Sequence, residues 1–161
     1  MFIELDTVLG TDGVDIGVDY SFPMEEPEFT SPVCVSGKVY SRTGIVKLSV
    51  IAEFDYRTNC ARCDREFTRH FTVPVEHFLV DKLNDEDMDE YIAVEDMHLD
   101  LDALVSEDIF LSFPMVFLCK PDCKGLCPQC GADLNEGNCS CRRPVDPRFE
   151  SLLGLLGSDD D

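Results

Sequence analysis

The chain has 161 residues, 44% of them hydrophobic, and a formal net charge of -20 from 13 basic and 33 acidic side chains. That length fits one domain, or a domain with a small appendage, and the apolar content is enough to build a core. The charge excludes a protein that wraps bare nucleic acid, because affinity for phosphate comes from Lys and Arg, and it suits a basic protein partner.

Met1 to Gly10 has no basic stretch followed by a long apolar run, so no signal peptide is read. No segment approaches the roughly 20 apolar residues of a membrane span. The expectation is a cytoplasmic protein that meets no membrane. In that reducing compartment nine cysteines point to metal rather than disulfides.

Residues 1–35 read as a loop-rich segment with short strands, one of them beginning at Phe2, Ile3 and Leu5. Gly10, Gly13, Gly17, Pro23, Pro27 and Pro32 punctuate it among many acids. Next comes the clearest pattern. Val46, Leu48, Val50, Ala52, Phe54 and Tyr56 alternate with polar residues, interrupted only by Ile51, which predicts a strand with one buried face. Gly37–Tyr40, with a turn at Ser41-Arg42-Thr43-Gly44, reads as the other arm of a hairpin. Beyond Cys60-Ala61-Arg62-Cys63 the alternation resumes in Phe67, Phe71, Val73, Val75 and Leu79, and Pro74 marks an edge strand or a bulge. Cys34, between two valines, reads as a small buried hydrophobe.

Residues 81–98 are densely acidic and read as a solvated loop. Like charges so close repel and stay wet, which sets aside a paired-carboxylate active site. Residues 100–112 predict a helix capped by Asp100, with Leu101, Leu104, Val105 and Ile109 on one face and a stop at Phe113-Pro114. A last short helix starts at Asp146-Pro147 and carries Phe149, Leu152, Leu153 and Leu156. It is too short to be stable undocked, and an acidic tail expected to be disordered follows it.

The predicted fold class is therefore α+β. It comprises an antiparallel β-sheet (a meander or half-open barrel), one helix, a Cys-rich zinc knuckle and a short C-terminal helix. The expected division is residues 1–112, holding sheet, acidic loop and helix, and residues 113–161, holding the cysteine segment, C-terminal helix and tail.

Eight cysteines fall into spaced groups: Cys60 and Cys63, Cys119 and Cys123, Cys127 and Cys130, Cys139 and Cys141. Structural zinc takes four ligands in a tetrahedron, commonly thiolates, so eight ligands suggest two zinc ions. Cys127-Pro128-Gln129-Cys130-Gly131 is a knuckle of the zinc-ribbon kind, and with Cys139 and Cys141 it makes a closed local set. Cys60, Cys63, Cys119 and Cys123 remain for a long-range site that clips the hairpin tip to the segment after the helix. The alternative is one site built from two of the pairs, with the others free. An iron–sulfur cluster also uses four cysteines, but the Cys-Pro-x-Cys-Gly knuckle fits zinc better. His70, His77 and His98 are scattered, with His70 the best reserve ligand.

Arg62, Arg65, Arg69, Lys120, Lys124, Arg142 and Arg143 lie close to cysteines. Four thiolates outweigh the charge of one Zn²⁺, so these side chains offset the excess or form a local contact surface for RNA or an acidic partner. The chain contains no G-x-x-x-x-G-K-[ST], G-x-S-x-G or H-E-x-x-H, and no nucleophile or acid–base constellation. No enzyme and no small-molecule substrate are expected.

Asn59-Cys60-Ala61-Arg62-Cys63-Asp64, Phe113-Pro114-Met115 and the run from Leu118 to Asn135 resemble the bacterial YceD family, the large ribosomal RNA subunit accumulation proteins. Asp146-Pro147-Arg148 resembles its longer-tailed members, and the resemblance covers about residues 36–156. It implies a non-enzymatic ribosome-biogenesis factor that promotes accumulation of large-subunit (23S) ribosomal RNA. The implied partner is the large-subunit precursor, met through a basic ribosomal protein or through precursor rRNA. Family members usually carry leucine where this chain has Asp64, a change expected to loosen local packing. The runner-up function is a redox- or zinc-responsive regulator acting through Cys60 and Cys63.

Overall fold

A computed structural model describes residues 2–4, 8, 13–42, 45–80, 91–94 and 98–141. The Thr43-Gly44 turn, most of the acidic loop, Arg142, Arg143, the helix expected from Asp146 and the acidic tail lie outside the described residues. The chain divides into two compact units. One is Met1–Asn59 with Glu66–Phe117; the other is Cys60–Arg65 with Leu118–Asp161.

The first unit is built on five strands in the order β2-β3-β4-β5-β6: β2 (Asp15–Phe22), β3 (Val33–Arg42), β4 (Ile45–Asn59), β5 (Glu66–Val80) and β6 (Tyr91–Ala93). β4 and β5 are 15 residues each and pair antiparallel from Val46↔Leu79 to Asn59↔Glu66. Their alternation does what its period demands. Val46, Leu48, Val50, Ala52 and Phe54 on β4 and Val73, Val75 and Leu79 on β5 are buried, while Ile51 faces outward at 45% exposure. Pro74 sits opposite Ile51 on β5, at a stretch whose other edge carries no described strand, as a residue without an N–H requires.

Three expectations are corrected. Residues 15–22 are not loop but β2, paired along its whole length with β3 from Asp15↔Tyr40 to Phe22↔Val33. Its outward acids and Gly17 mask a true alternation of Ile16, Val18, Tyr20 and Phe22, begun by Val14 just before it. The sheet is open, in keeping with the expected meander, but it is not wholly antiparallel, because β6 pairs parallel with Phe78–Val80. Part of the supposed solvated loop is thus strand. His98–Asp100 (β7) likewise pairs antiparallel with Phe2–Glu4 (β1) as a separate two-stranded ladder. Cys34 is exposed, because it takes the outward position between buried Val33 and Val35.

Helix α1 (Leu101–Ser112) starts where a side chain can satisfy its free amides: Asp100 accepts from the Ala103 N–H. Leu101, Val105 and Ile109 are fully buried in the core, with Leu104 against its margin. Phe113 closes the helix in extended conformation, as expected for a residue before proline. It then enters an aromatic cluster. Its ring lies 4.8 Å from Tyr56, 5.5 Å from both Phe71 and Phe117, and 6.1 Å from Phe54.

Gly37 shows how tightly the sheet is drawn. It sits mid-strand on β3 with φ +153, and a Cβ there would lie 2.3 Å from the Ser49 carbonyl oxygen and 2.6 Å from Val50 Cα. Both obstacles are backbone, so they yield only if β3 and β4 separate. Gly37→Ala should cost about 1–3 kcal/mol in chemical denaturation, the range for overpacking a filled site. A variant as stable as the parent would show that the two strands can part freely.

Candidate metal centre

In the second unit, residues 60–65 form a tight knuckle. The Asp64 N–H donates to the Cys60 carbonyl at 2.8 Å, and the Cys60 N–H donates to the Arg65 carbonyl at 2.9 Å. Asp64 takes φ +56, a left-handed conformation that Asp tolerates better than leucine does. It points to solvent, so no packing is loosened there. Residues 127–132 repeat the same turn. The Gly131 N–H donates to the Cys127 carbonyl at 2.9 Å, the Cys127 N–H donates to the Ala132 carbonyl at 2.8 Å, and Gly131 takes φ +72. The two knuckles are one backbone device used twice, and each aims two sulfurs at a common point.

The remaining cysteines complete both sets. The sulfurs of Cys60, Cys63, Cys119 and Cys123 lie within 4.8 Å of one another, and so do those of Cys127, Cys130, Cys139 and Cys141. Sγ of Cys60 is 3.7 Å from that of Cys123, and Cys63 is 3.7 Å from Cys119. Disulfide sulfurs would stand about 2.05 Å apart. A zinc–sulfur bond of about 2.3 Å, placed on a tetrahedron, gives a sulfur–sulfur edge of about 3.8 Å. The donor set, the number of donors and the spacing therefore fit a closed four-thiolate zinc centre in each cluster. Cys60 and Cys63 are 2% and 6% exposed, while Cys130 and Cys141 of the second set are exposed.

The thiols are unequal. Backbone N–H groups, that of Cys119 first, pull Cys60 down from 9.0 to about 6. Cys127 falls to about 6 through the Cys130 and Gln129 N–H groups. Burial and the neighbouring sulfurs push Cys119 up to about 12, and the Cys130 sulfur followed by burial does the same to Cys141. The Arg65 N–H pulls on Cys63, but burial and the other sulfurs outweigh it, and Cys139 is raised first by Cys127. One thiolate in each set forms readily and discourages the next, an imbalance that a divalent cation held by the four sulfurs would remove.

A depressed thiol adds stability that is complete above its unfolded value and is lost as pH falls through its folded one, here between about 9 and about 6. In protein stripped of metal, ultraviolet thiolate absorbance should show Cys60 and Cys127 ionising near pH 6, ahead of Cys63, Cys119, Cys139 and Cys141. A single step near the ordinary thiol value would show that the hydrogen-bonded knuckles do not outlast the metal.

Around the sulfurs runs a polar frame that spacing alone does not reveal. The Arg62 guanidinium donates to the Cys123 carbonyl at 2.7 Å, and the Arg62 carbonyl accepts from the Leu126 N–H at 3.1 Å. Arg65 pairs with Asp133 at 3.0 Å and with Glu136 at 2.9 Å. Asp133 in turn accepts from both the backbone and the side-chain N–H of Asn135. Asn135 accepts from the Lys124 N–H at 2.9 Å and donates to Cys123 Sγ at 3.5 Å. Asp133 and Asn135 were not singled out from the sequence. Their signal in the sequence is their place directly after the knuckle, at the end of the Leu118–Asn135 run that carries the family resemblance.

The seven basic residues near cysteines do not all gather. Arg62, Arg65, Lys120 and Lys124 belong to the cysteine unit and Arg69 to the sheet unit, where it lies 5.5 Å over the Phe67 ring. Arg142 and Arg143 lie outside the described residues. The histidines lie outside both sulfur sets: His70 pairs with Asp55 at 2.9 Å and His77 with Asp108 at 2.5 Å.

The family described as large ribosomal RNA subunit accumulation protein YceD matches residues 48–156, a span that contains all eight clustered cysteines. The chain belongs to the YceD family. Uncharacterized proteins of Mycobacterium bovis and of two Mycobacterium tuberculosis strains are each 32% identical to it over 123 residues. Those matches cover 74% of this chain and 56% of each relative, so the chain spans little more than half their length. No solved structure matches it. No helix among the described residues is long and apolar enough to cross a membrane.

Proposed function

We propose that this protein works without catalysis in ribosome biogenesis, promoting accumulation of large-subunit (23S) ribosomal RNA on a scaffold held by two zinc ions. Cys60, Cys63, Cys119 and Cys123 hold one ion, and Cys127, Cys130, Cys139 and Cys141 hold the other. The observation that carries the reading is the family match over residues 48–156. The sulfur geometry supports the metal part of it.

The direct partner in this reading is a basic ribosomal protein of the large-subunit precursor rather than precursor rRNA, and the encounter takes place in the cytoplasm. A net charge of -20 steers basic chains in and phosphate away. Arg62 and Arg65 are also engaged inside the cysteine unit, which leaves less cationic surface for RNA. Depleting the protein in its host should lower large-subunit rRNA relative to small-subunit rRNA. An unchanged ratio would end this reading.

The second reading is a redox- or zinc-responsive regulator acting through Cys60 and Cys63. The lowered Cys60 thiol favours it, and the burial of both sulfurs opposes it. Under that reading mild oxidant releases zinc before the fold melts. Zinc retained until global unfolding would rule it out.

A further inference from the structure

The loop between the last two cysteine pairs, residues 131–138, belongs by sequence to the C-terminal cluster, yet its side chains serve the other one. Asn135 donates to Cys123 Sγ and accepts from the Lys124 N–H, on the two residues that bring Cys123 into place. The orientation of its amide is settled by its neighbours. Lys124 N–H can only donate and Asp133 Oδ1 can only accept, so the nitrogen faces the sulfur. Asp133 holds that amide from below with one oxygen and Arg65, from the first knuckle, with the other. Leu126 and Asp133 form a β-bridge that ties this loop to the chain leaving Cys123.

What shapes the loop is the second knuckle. The Cys127 and Gly131 N–H bonds fix its start, and Cys139 and Cys141 fix its end. The second cluster is also the cheaper to assemble. Its ligands lie within residues 127–141, whereas Cys60 and Cys123 are 63 residues apart, and closing the shorter loop costs less chain entropy.

We infer that the two sites are coupled. The C-terminal site fills first, and by ordering Asp133 and Asn135 it completes the outer hydrogen bonds of the Cys60–Cys63–Cys119–Cys123 site and tightens metal binding there. Asn135 is a positioning residue, acting on the metal through the Cys123 sulfur. An N–H donated to a thiolate ligand draws off charge and holds the sulfur's direction, and outer partners of this kind are worth about 10–100-fold in metal affinity. Coupling is reciprocal, so the hairpin site strengthens the C-terminal site by the same factor. The inference rests on the zinc reading above, and the test separates the two.

Zinc content and release to a chromophoric chelator would be measured on the full chain, with cobalt(II) in place of zinc as a spectroscopic probe. Wild-type protein that binds neither zinc nor cobalt would defeat the zinc reading itself, before coupling is in question. Given two bound ions, Asn135→Ala should keep both, release one about tenfold faster, and shift the sulfur-to-cobalt band of one site only. Asn135→Asp, of the same shape but with an oxygen facing the thiolate, should accelerate release further. In Cys139→Ser/Cys141→Ser the remaining ion should be held about tenfold or more weakly than in wild type. Wild-type release kinetics in both Asn135 variants, or an unchanged remaining ion in the double serine variant, would overturn the coupling. Should the double variant lose its fold by circular dichroism, the Asn135 pair decides alone.

Discussion

Cys60→Ser should lower the zinc content from two ions to one and open the segment around Cys63, Cys119 and Cys123 to alkylation under native conditions. The Cys60 sulfur is buried and stands 3.7 Å from that of Cys123. It also receives the N–H bonds that make it the readiest thiolate of its set. A serine hydroxyl neither ionises at neutral pH nor reaches the same bond length to zinc. Binding free energy at a structural zinc site is folding free energy, about 10–16 kcal/mol in zinc-finger peptides, far above any single hydrogen bond in this unit. The loss falls on a site whose ligands come from chain segments some 60 residues apart, so little local structure remains to hold Cys119 and Cys123 in place. Two retained zinc ions and protected thiols in the variant would sink the assignment of Cys60 as a ligand.

Phe54→Ala should destabilise the sheet unit by about 3–5 kcal/mol, the range for deleting a buried aromatic ring, and lower its thermal midpoint by about 12 °C or more. The Phe54 side chain is 1% exposed. Its ring is stacked on Phe71 at 5.6 Å and meets Phe29 at 5.1 Å and Phe113 at 6.1 Å. These partners come from β5, the chain before β3 and the end of α1, so the cavity opened on β4 touches both the sheet and the helix end. Ile51→Ala, three residues earlier on the opposite face, is the control and should cost under about 1 kcal/mol. Equal effects at the two positions would mean that the sheet is not one-sided.

The strands at the centre were legible because alternation and burial share a period. Val46 to Phe54 and Val73 to Leu79 need no tertiary information to be placed on one face. β2 carried the same alternation, but glycine and acids on its outward face imitate a loop. Only pairing of its whole length with β3 overrides that local appearance. Tyr91–Ala93 was hidden for a different reason. A three-residue parallel strand has almost no pattern of its own and exists because Phe78–Val80 offers an edge. Cys34 was read as buried from its two valine neighbours, when alternation itself puts the residue between two inward valines on the outside.

The cysteine sets divide in the same way. Spacing by itself determined which eight cysteines group together and that the last four make a local set, because a two-residue gap lets one backbone turn aim two sulfurs at one point. Composition determined the acidic character, and the apolar pattern with Asp100 before it determined the capped helix. Spacing joined Cys119 and Cys123 to the distant first knuckle only by elimination, with a single site as the alternative. The tertiary structure decided it by bringing their sulfurs to 3.7 Å from those of Cys60 and Cys63. It also decided that Arg62 and Arg65 are held inside the unit and that Asn135 reaches the sulfur of a cluster other than its own. Those facts depend on where distant backbone lies, and a side chain's type fixes what it can donate or accept but not who will stand opposite it.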